Sequence, residues 1–228
     1  MIIIALALAL WTAGPRQDDP GPPVRIVLDN STASEAATRD QLGRLLENPA
    51  AGRWIFHPDV LVKDGAIPHS HPVVTMRTGE PDRELIANFL HENIHWYVSA
   101  RKPALDAVVA DLRVRYPDLP TRFPQGSGDE YSSYVHLVVC TLEFQALREV
   151  LGDAAAVDVM RFWATHHYTA IYAAVIEDEQ AILSLLEAHD LSNRKMGSAH
   201  VIPSPASEEG VPRSGRDGGS VRITTGER

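Results

Sequence analysis

His91, Glu92 and His95 form a His-Glu-x-x-His pattern within an apolar stretch of the chain. Residues four apart on an α-helix lie one above the other, so two imidazoles at this spacing can bind one metal ion. Glu92 lies one step round the helix, where its carboxylate can reach a metal-bound water. Zinc with three protein ligands keeps a fourth position for water and lowers the pKa of that water to about 7. The pattern therefore predicts one Zn²⁺ per chain, with Glu92 as the general base of a hydrolytic reaction.

A catalytic zinc ion needs a third protein ligand, and a later apolar segment offers His136 and Glu143. These residues are seven apart and would share one helix face, but they would be separated by roughly 10.5 Å along the axis, too far to bind one ion comfortably. The residues themselves leave the choice between them open. If His136 is not the ligand, two roles remain. It contacts the substrate or the transition state, or it is a core histidine that is hydrogen-bonded to Glu130 or to a backbone carbonyl. Cys140 lies between them on the same face, and a lone helical cysteine is typically a small buried apolar residue.

The two segments resemble the gluzincin metallopeptidases, in which HExxH on one helix is completed by a glutamate from a later helix. The resemblance covers residues 91–95 and 142–143, with the short strand before the first helix. It implies that Glu143, 48 residues beyond His95, is the third zinc ligand. It also implies that residues 73–76 form an edge strand that holds an extended substrate. The residues after His95 lack the glycine and histidine of the metzincin extension.

His167 and Tyr168 form a second polar cluster that could take part in catalysis. Zinc peptidases need a hydrogen-bond donor for the oxyanion of the tetrahedral intermediate, and either residue can supply one from a third element. The alternative is a turn whose aromatic and imidazole groups pack against the helices. His69 and His71 precede the expected edge strand, and we expect them to form a proline-flanked turn rather than to line the cleft.

Sequence periodicity predicts an α+β fold with a small N-terminal β-sheet and a larger helical part. Short runs rich in β-branched residues predict strands over 24–28, 54–62 and 73–76. Apolar residues at helical spacing predict helices over 81–101, 104–116 and 129–151, followed by a helical region over 153–189. The resemblance to the gluzincins implies that this domain is zincin-like, with HExxH on its first long helix.

The ends of the chain differ in composition from the body. Residues 1–14 contain a short apolar run followed by small residues, which predicts a signal peptide or an N-terminal anchor. We expect residues 15–23 to be a linker, residues 24–192 to be the zincin-like domain and residues 193–228 to be a disordered tail. The protein is accordingly expected to be exported, periplasmic or secreted. Membrane contact is expected only if the N-terminal segment stays uncleaved.

Composition narrows the functional classes. The 228 residues are 44% hydrophobic and 22% charged, as in ordinary folded proteins. A net charge of −9 without a Lys/Arg block argues against a nucleic-acid partner. The single Cys140 excludes an intramolecular disulfide and a four-cysteine zinc site. A chain of this length can bury a core without a structural metal, so a bound metal is expected to serve chemistry.

These observations predict a zinc metallopeptidase acting on a peptide or protein substrate, with His91, His95 and Glu143 as ligands. Within the same chemistry, the alternative is a zinc hydrolase of a non-peptide amide. A different class of function is a non-catalytic zinc-binding or helical interaction module of the cell envelope. A structural zinc site would be closed by four protein ligands, whereas a catalytic one keeps an open position.

Overall fold

The computed structural model of the protein describes residues 23–192. Within this range it contains three strands and seven helices, in this order: β1 (Arg25–Leu28), α1 (Ala33–Leu45), α2 (Pro49–Gly52), β2 (Asp59–Lys63), β3 (Val74–Arg77), α3 (Asp82–Ser99), α4 (Lys102–Arg115), α5 (Glu130–Leu151), α6 (Asp153–Trp163) and α7 (Thr169–Ala188). The small N-terminal sheet followed by a mainly helical part agrees with the expected α+β class. The expected signal peptide or anchor, the disordered tail and all but the last residue of the linker lie outside the described residues. No helix within residues 23–192 has both the length and the apolar character needed to cross a membrane.

The sheet is parallel throughout, with the strand order β1-β2-β3. Ile26 pairs with Val60, and Val60 pairs with Val74, so these three side chains lie on one face of the sheet. All three are buried, whereas the alternate residue Val27 is 46% exposed. The sheet therefore contributes one apolar face to the core, and the helices cover that face.

The second strand is shorter than its apolar sequence suggests. Residues 54–58 continue from α2 into a turn, and the strand begins only at Asp59. Trp54 is 1% exposed and donates from Nε1 to Glu149 Oε2 at 2.7 Å. This part of the run is apolar because it packs into the core from a loop. The other two strands begin within one residue of their expected starts.

Helix α1 was not predicted from the sequence. Its N-cap Thr32 accepts from the backbone N–H of Glu35, while the Glu35 side chain accepts from the N–H of Thr32, which completes a capping box. Glu35 also accepts from the N–H groups of Asn30 and Asp64, and it is fully buried. Polar contacts at its start thus stabilise this helix. A search for apolar residues at helical spacing therefore does not detect it.

Helices α3 and α5 are adjacent in the core and carry the residues singled out in the sequence. Of the 18 residues of α3, 12 are buried, and of the 22 residues of α5, 14 are buried. Strand β3 packs on α3, while α6 and α7 pack on α5. Side chains on the facing sides of α3 and α5 are therefore held in contact inside the protein rather than at a mobile surface.

The helical region expected over 153–189 is divided into α6 and α7 by a turn. Tyr168 adopts the left-handed conformation with φ of 50°, which ends helical continuity. The N–H groups of Thr169 and Ala170 donate to the carbonyls of Pro124 and Gln125, so the loop before α5 fixes this turn. The break brings His167 and Tyr168 to the start of α7.

Asn93 fixes the turn before β2 to helix α3. Its Oδ1 accepts from the N–H groups of Phe56 and His57, each at 3.0 Å, and it is fully buried. We expect Asn93→Ala to lower the free energy of unfolding of the metal-free protein by roughly 2–5 kcal/mol, because two buried donors lose their acceptor. Denaturant unfolding measures this change. The exposed Asn30→Ala should change it by less than about 0.5 kcal/mol, and equal effects of the two would contradict the assignment.

Candidate metal centre

Helix α3 places His91 and His95 one above the other, as the spacing predicts. Their Nε2 atoms are 3.2 Å apart, and their ring centroids are 5.0 Å apart. Two nitrogens bound to one tetrahedral zinc ion at about 2.0–2.1 Å would be separated by about 3.4 Å. The two imidazoles therefore already have the separation that a shared metal ion requires.

Helix α5 adds His136 to this pair. Its ring centroid lies 5.6 Å from that of His91 and 5.0 Å from that of His95. The ligand nitrogens of the three histidines all lie within 4.8 Å of one another. The Nδ1 of His136 is 2.7 Å from the carbonyl oxygen of Ser132, to which it can donate, and this leaves Nε2 free for an ion. The three imidazoles thus form a triangle that can hold one metal ion.

Glu143 lies at the other nitrogen of His91. Its Oε2 is 2.9 Å from His91 Nδ1, whereas the nitrogen of His91 that faces His95 is Nε2. The lone pairs of the two ring nitrogens diverge, so one ion cannot use both. Within residues 23–192, the close groups of possible ligands are His91, His95 and His136, and His91, Cys140 and Glu143. The expected set of His91, His95 and Glu143 is neither of these, so the geometry favours His136 as the third ligand.

Burial determines the protonation of the histidines. It lowers the pKa of His95 well below its usual value, and it lowers the pKa of His136 to about 3, with further lowering of both by His91. Both imidazoles are therefore neutral near pH 7, the form that binds metal ions. For His91 burial also acts to lower the pKa, but hydrogen bonding to Cys140 and Glu143 outweighs it and holds the pKa well above its usual value.

Glu92 has the properties that its expected role as a base requires. Glu92 is 8% exposed, and within the described part of the chain its carboxylate makes no hydrogen bond. Burial raises its pKa, while the nearby His91 and His69 act in the opposite direction. Among the described residues no competing hydrogen bond engages this carboxylate, so it can accept a proton.

The Tyr168 ring lies against His136, and His167 lies against Tyr168. The Tyr168 ring is 4.4 Å from the ring of His136, and the His167 ring is 4.9 Å from that of Tyr168. Burial raises the pKa of Tyr168, so its hydroxyl stays protonated, and among residues 23–192 this hydroxyl has no hydrogen-bond partner. Burial lowers the pKa of His167 to about 4. Of the two residues, Tyr168 is the one whose ring contacts a histidine of the centre, and its backbone is left-handed.

Strand β3 is an edge strand, but its outer side is partly occupied. The N–H of Thr75 donates to the carbonyl of His69 at 2.8 Å, and the N–H of His69 donates to the carbonyl of Thr75 at 3.2 Å. An extended substrate can pair with Thr75 only if the segment around His69 moves away. His69 therefore forms a bridge to the strand rather than only the turn expected from its flanking prolines.

The contacts of three further residues were not predicted from the sequence: Trp96, His57 and Tyr172. Trp96 stacks between His57 and His71, at centroid distances of 4.0 and 4.1 Å, and donates to the carbonyl of Ser70 at 2.8 Å. Tyr172 donates from its hydroxyl to Glu143 Oε2 at 3.0 Å. Their contacts join residues 25 or more positions apart, so no local pattern reveals them.

Comparison of the chain with models of known protein families, with curated proteins and with solved structures found no match. The function is therefore argued from the geometry of the site. Five residues, four buried and one half-buried, lie close together and can bind a metal ion: His91, His95, His136, Cys140 and Glu143.

Proposed function

We propose that the protein is a zinc-dependent metallopeptidase that hydrolyses amide bonds in peptides. The observation that carries this proposal is the convergence of His91, His95 and His136, with Glu92 next to His91 on the same helix and without a hydrogen-bond partner among residues 23–192. Three imidazole ligands leave the fourth position of a tetrahedral ion open, as catalytic zinc sites require. A closed structural site would need a fourth protein ligand, and the three-histidine group within residues 23–192 contains none.

Each residue of the site has a separate role in the proposed reaction. A bound zinc ion would supply a Lewis acid and lower the pKa of a water molecule. Glu92 accepts the proton of the attacking water and transfers it to the leaving amine. Its raised pKa helps it to hold that proton between the two steps. The hydroxyl of Tyr168 donates a hydrogen bond to the oxygen on which negative charge develops.

The role of Tyr168 gives a prediction about rate. We expect Tyr168→Phe to lower kcat by about 10²–10³-fold, the usual effect of removing one oxyanion donor, with the zinc content unchanged. Steady-state kinetics with metal analysis of the same sample measures both quantities. Tyr131→Phe removes a hydroxyl that bonds Asp106 at the surface, and it should leave kcat unchanged. A larger loss in His167→Ala than in Tyr168→Phe would assign the donor to His167 instead.

A second candidate function is hydrolysis of small, non-peptide amides by the same residues. The pairing of Thr75 with His69 favours it, because an extended polypeptide cannot pair with this part of β3 while the segment stays in place. A compact amide needs no such pairing. The two candidates share all catalytic residues and differ only in how the substrate is held.

Hydrolysis assays on the full chain test both candidates. The zinc-loaded protein is incubated with a mixed peptide library and with a set of N-acyl amides, and the products are identified by mass spectrometry. We expect cleavage that stops when zinc is removed by a chelator and returns when zinc is added. Cleavage of N-acyl amides alone would favour the second candidate. Cleavage that is insensitive to zinc removal would contradict both.

A further inference from the structure

We infer that Glu143 and Tyr172 position His91 for metal binding from outside the ligand set. This inference rests on the metal centre proposed above but not on its hydrolytic activity. A single oxygen of Glu143, Oε2, lies 2.9 Å from His91 Nδ1 and accepts from the Tyr172 hydroxyl at 3.0 Å. The three residues come from α3, α5 and α7, so they join three helices at the base of the centre.

The carboxylate of Glu143 selects the tautomer of His91. A carboxylate only accepts hydrogen bonds, so Nδ1 must carry a proton to donate to it. When the ring releases its other proton on metal binding, the lone pair is on Nε2, which lies 3.2 Å from Nε2 of His95. A carboxylate on the far nitrogen of a ligating histidine also fixes the ring orientation and makes the histidine a stronger ligand.

Tyr172 fixes the carboxylate in turn. Tyr172 and Glu143 are each 1% exposed, so water does not replace the hydrogen bond between them. The other oxygen of Glu143, Oε1, is buried without a hydrogen-bond partner among the described residues. A carboxylate that served only to stabilise the core would be expected to have both oxygens paired. Among the described residues, the hydrogen bonds that orient the carboxylate are therefore those of Oε2 with Tyr172 and His91.

A competing arrangement places a metal ion at Nδ1 of His91, with Cys140 and Glu143 as further ligands. The three possible ligand atoms lie within 4.8 Å of one another. Such an ion would have to displace the proton that joins His91 to Glu143. The separation of 2.9 Å between these two atoms is that of an ordinary hydrogen bond, and it is shorter than the roughly 3.4 Å between ligands of one tetrahedral zinc. The hydrogen-bonded arrangement fits the observed distance better.

Two isosteric variants test the inference: Glu143→Gln and Tyr172→Phe. For each full-length variant, the zinc dissociation constant is measured by competition with a chromophoric chelator, and the unfolding of the metal-free protein is measured in parallel. We expect Glu143→Gln to weaken zinc binding about 10–100-fold while one zinc still binds. Tyr172→Phe should weaken it about 2–10-fold, as expected for the loss of one hydrogen bond. In both variants the visible spectrum of bound Co²⁺ should remain that of a tetrahedral site without sulfur.

The buried Glu179 provides a matched control, because it contacts Gln145 and Arg148 of α5 rather than His91. Glu179→Gln should lower the stability of the protein and leave the zinc dissociation constant unchanged. An unchanged constant in Glu143→Gln would overturn the inference and leave the three-histidine centre intact. Binding lost as completely as in His136→Ala would make Glu143 a ligand, and a sulfur-to-Co²⁺ charge-transfer band would make Cys140 one; either overturns the inference. A wild-type protein that binds no zinc would overturn the metal centre and the inference together.

Discussion

Replacing Glu92 with glutamine is expected to abolish hydrolysis while zinc stays bound. The amide cannot accept the proton of the attacking water, and general-base catalysis typically contributes about 10²–10⁴-fold to the rate. The substitution is isosteric, and within residues 23–192 the carboxylate has no hydrogen-bond partner to lose. The fold and the three histidines should therefore be unaffected. The measurement is kcat on the best substrate, together with the zinc content of the same sample.

A control for this variant lies on the same helix. Glu84 is in the first turn of α3, two turns before the histidines, so Glu84→Gln should retain wild-type kcat and zinc content. Wild-type kcat in Glu92→Gln would exclude this carboxylate as the base. Loss of zinc in Glu92→Gln would instead indicate that Glu92 takes part in metal binding.

Replacing His136 with alanine is expected to have the largest effect on metal affinity of any substitution on α5. It removes one of three imidazole ligands. The zinc dissociation constant should therefore rise by more than the 10–100-fold that is typical when a residue that hydrogen-bonds a ligand, such as Glu143, is replaced. Isothermal titration of the metal-free protein with zinc measures this change. The comparison between His136→Ala and Glu143→Gln distinguishes ligand from positioning residue.

His166→Ala is a suitable control for the loss of an imidazole. His166 is exposed and can donate to the carbonyl of Phe162 within its own turn, so its removal should not change zinc affinity. The three-histidine centre would be contradicted if His136→Ala retained wild-type affinity for zinc while Glu143→Gln lost zinc binding. That result would restore the gluzincin-like ligand set implied by the motif.

The sequence predicted those features of the site that depend on local periodicity. The four-residue spacing of His91 and His95 on a strongly apolar helix places both imidazoles on one side, and the structure has them there. The helical spacing over 129–151 likewise placed His136 and Glu143 on one face of α5. Their separation along the axis predicted that they could not comfortably bind one ion together, and the structure places them in different groups of possible ligands.

The features that the sequence did not predict depend on how helices pack against one another. The choice between His136 and Glu143 depends on the height at which α5 crosses α3, because that height determines which residue meets Nε2 of His91 and which meets Nδ1. The bond from Tyr172 to Glu143 depends on the packing of a third helix. Local periodicity contains no information about these relative heights.

Strand β3 shows a second limit of prediction from the sequence. A short β-branched run before the HExxH helix correctly predicted β3, and its edge position was implied by the resemblance. The pairing of His69 with Thr75 was not predicted, because a single antiparallel bridge leaves no periodic pattern in the sequence. This bridge bears on the substrate, since it determines whether an extended peptide can pair with the strand.

X-ray absorption at the zinc edge of the zinc-loaded wild-type protein tests the central claim most directly. The proposed centre predicts one zinc per chain with a first shell of nitrogen and oxygen atoms at about 2.0–2.1 Å and with scattering from three imidazole rings. A sulfur neighbour at about 2.3 Å would place the ion at Cys140 instead. A shell with two imidazoles and a carboxylate, or a protein that binds no zinc, would contradict the three-histidine centre.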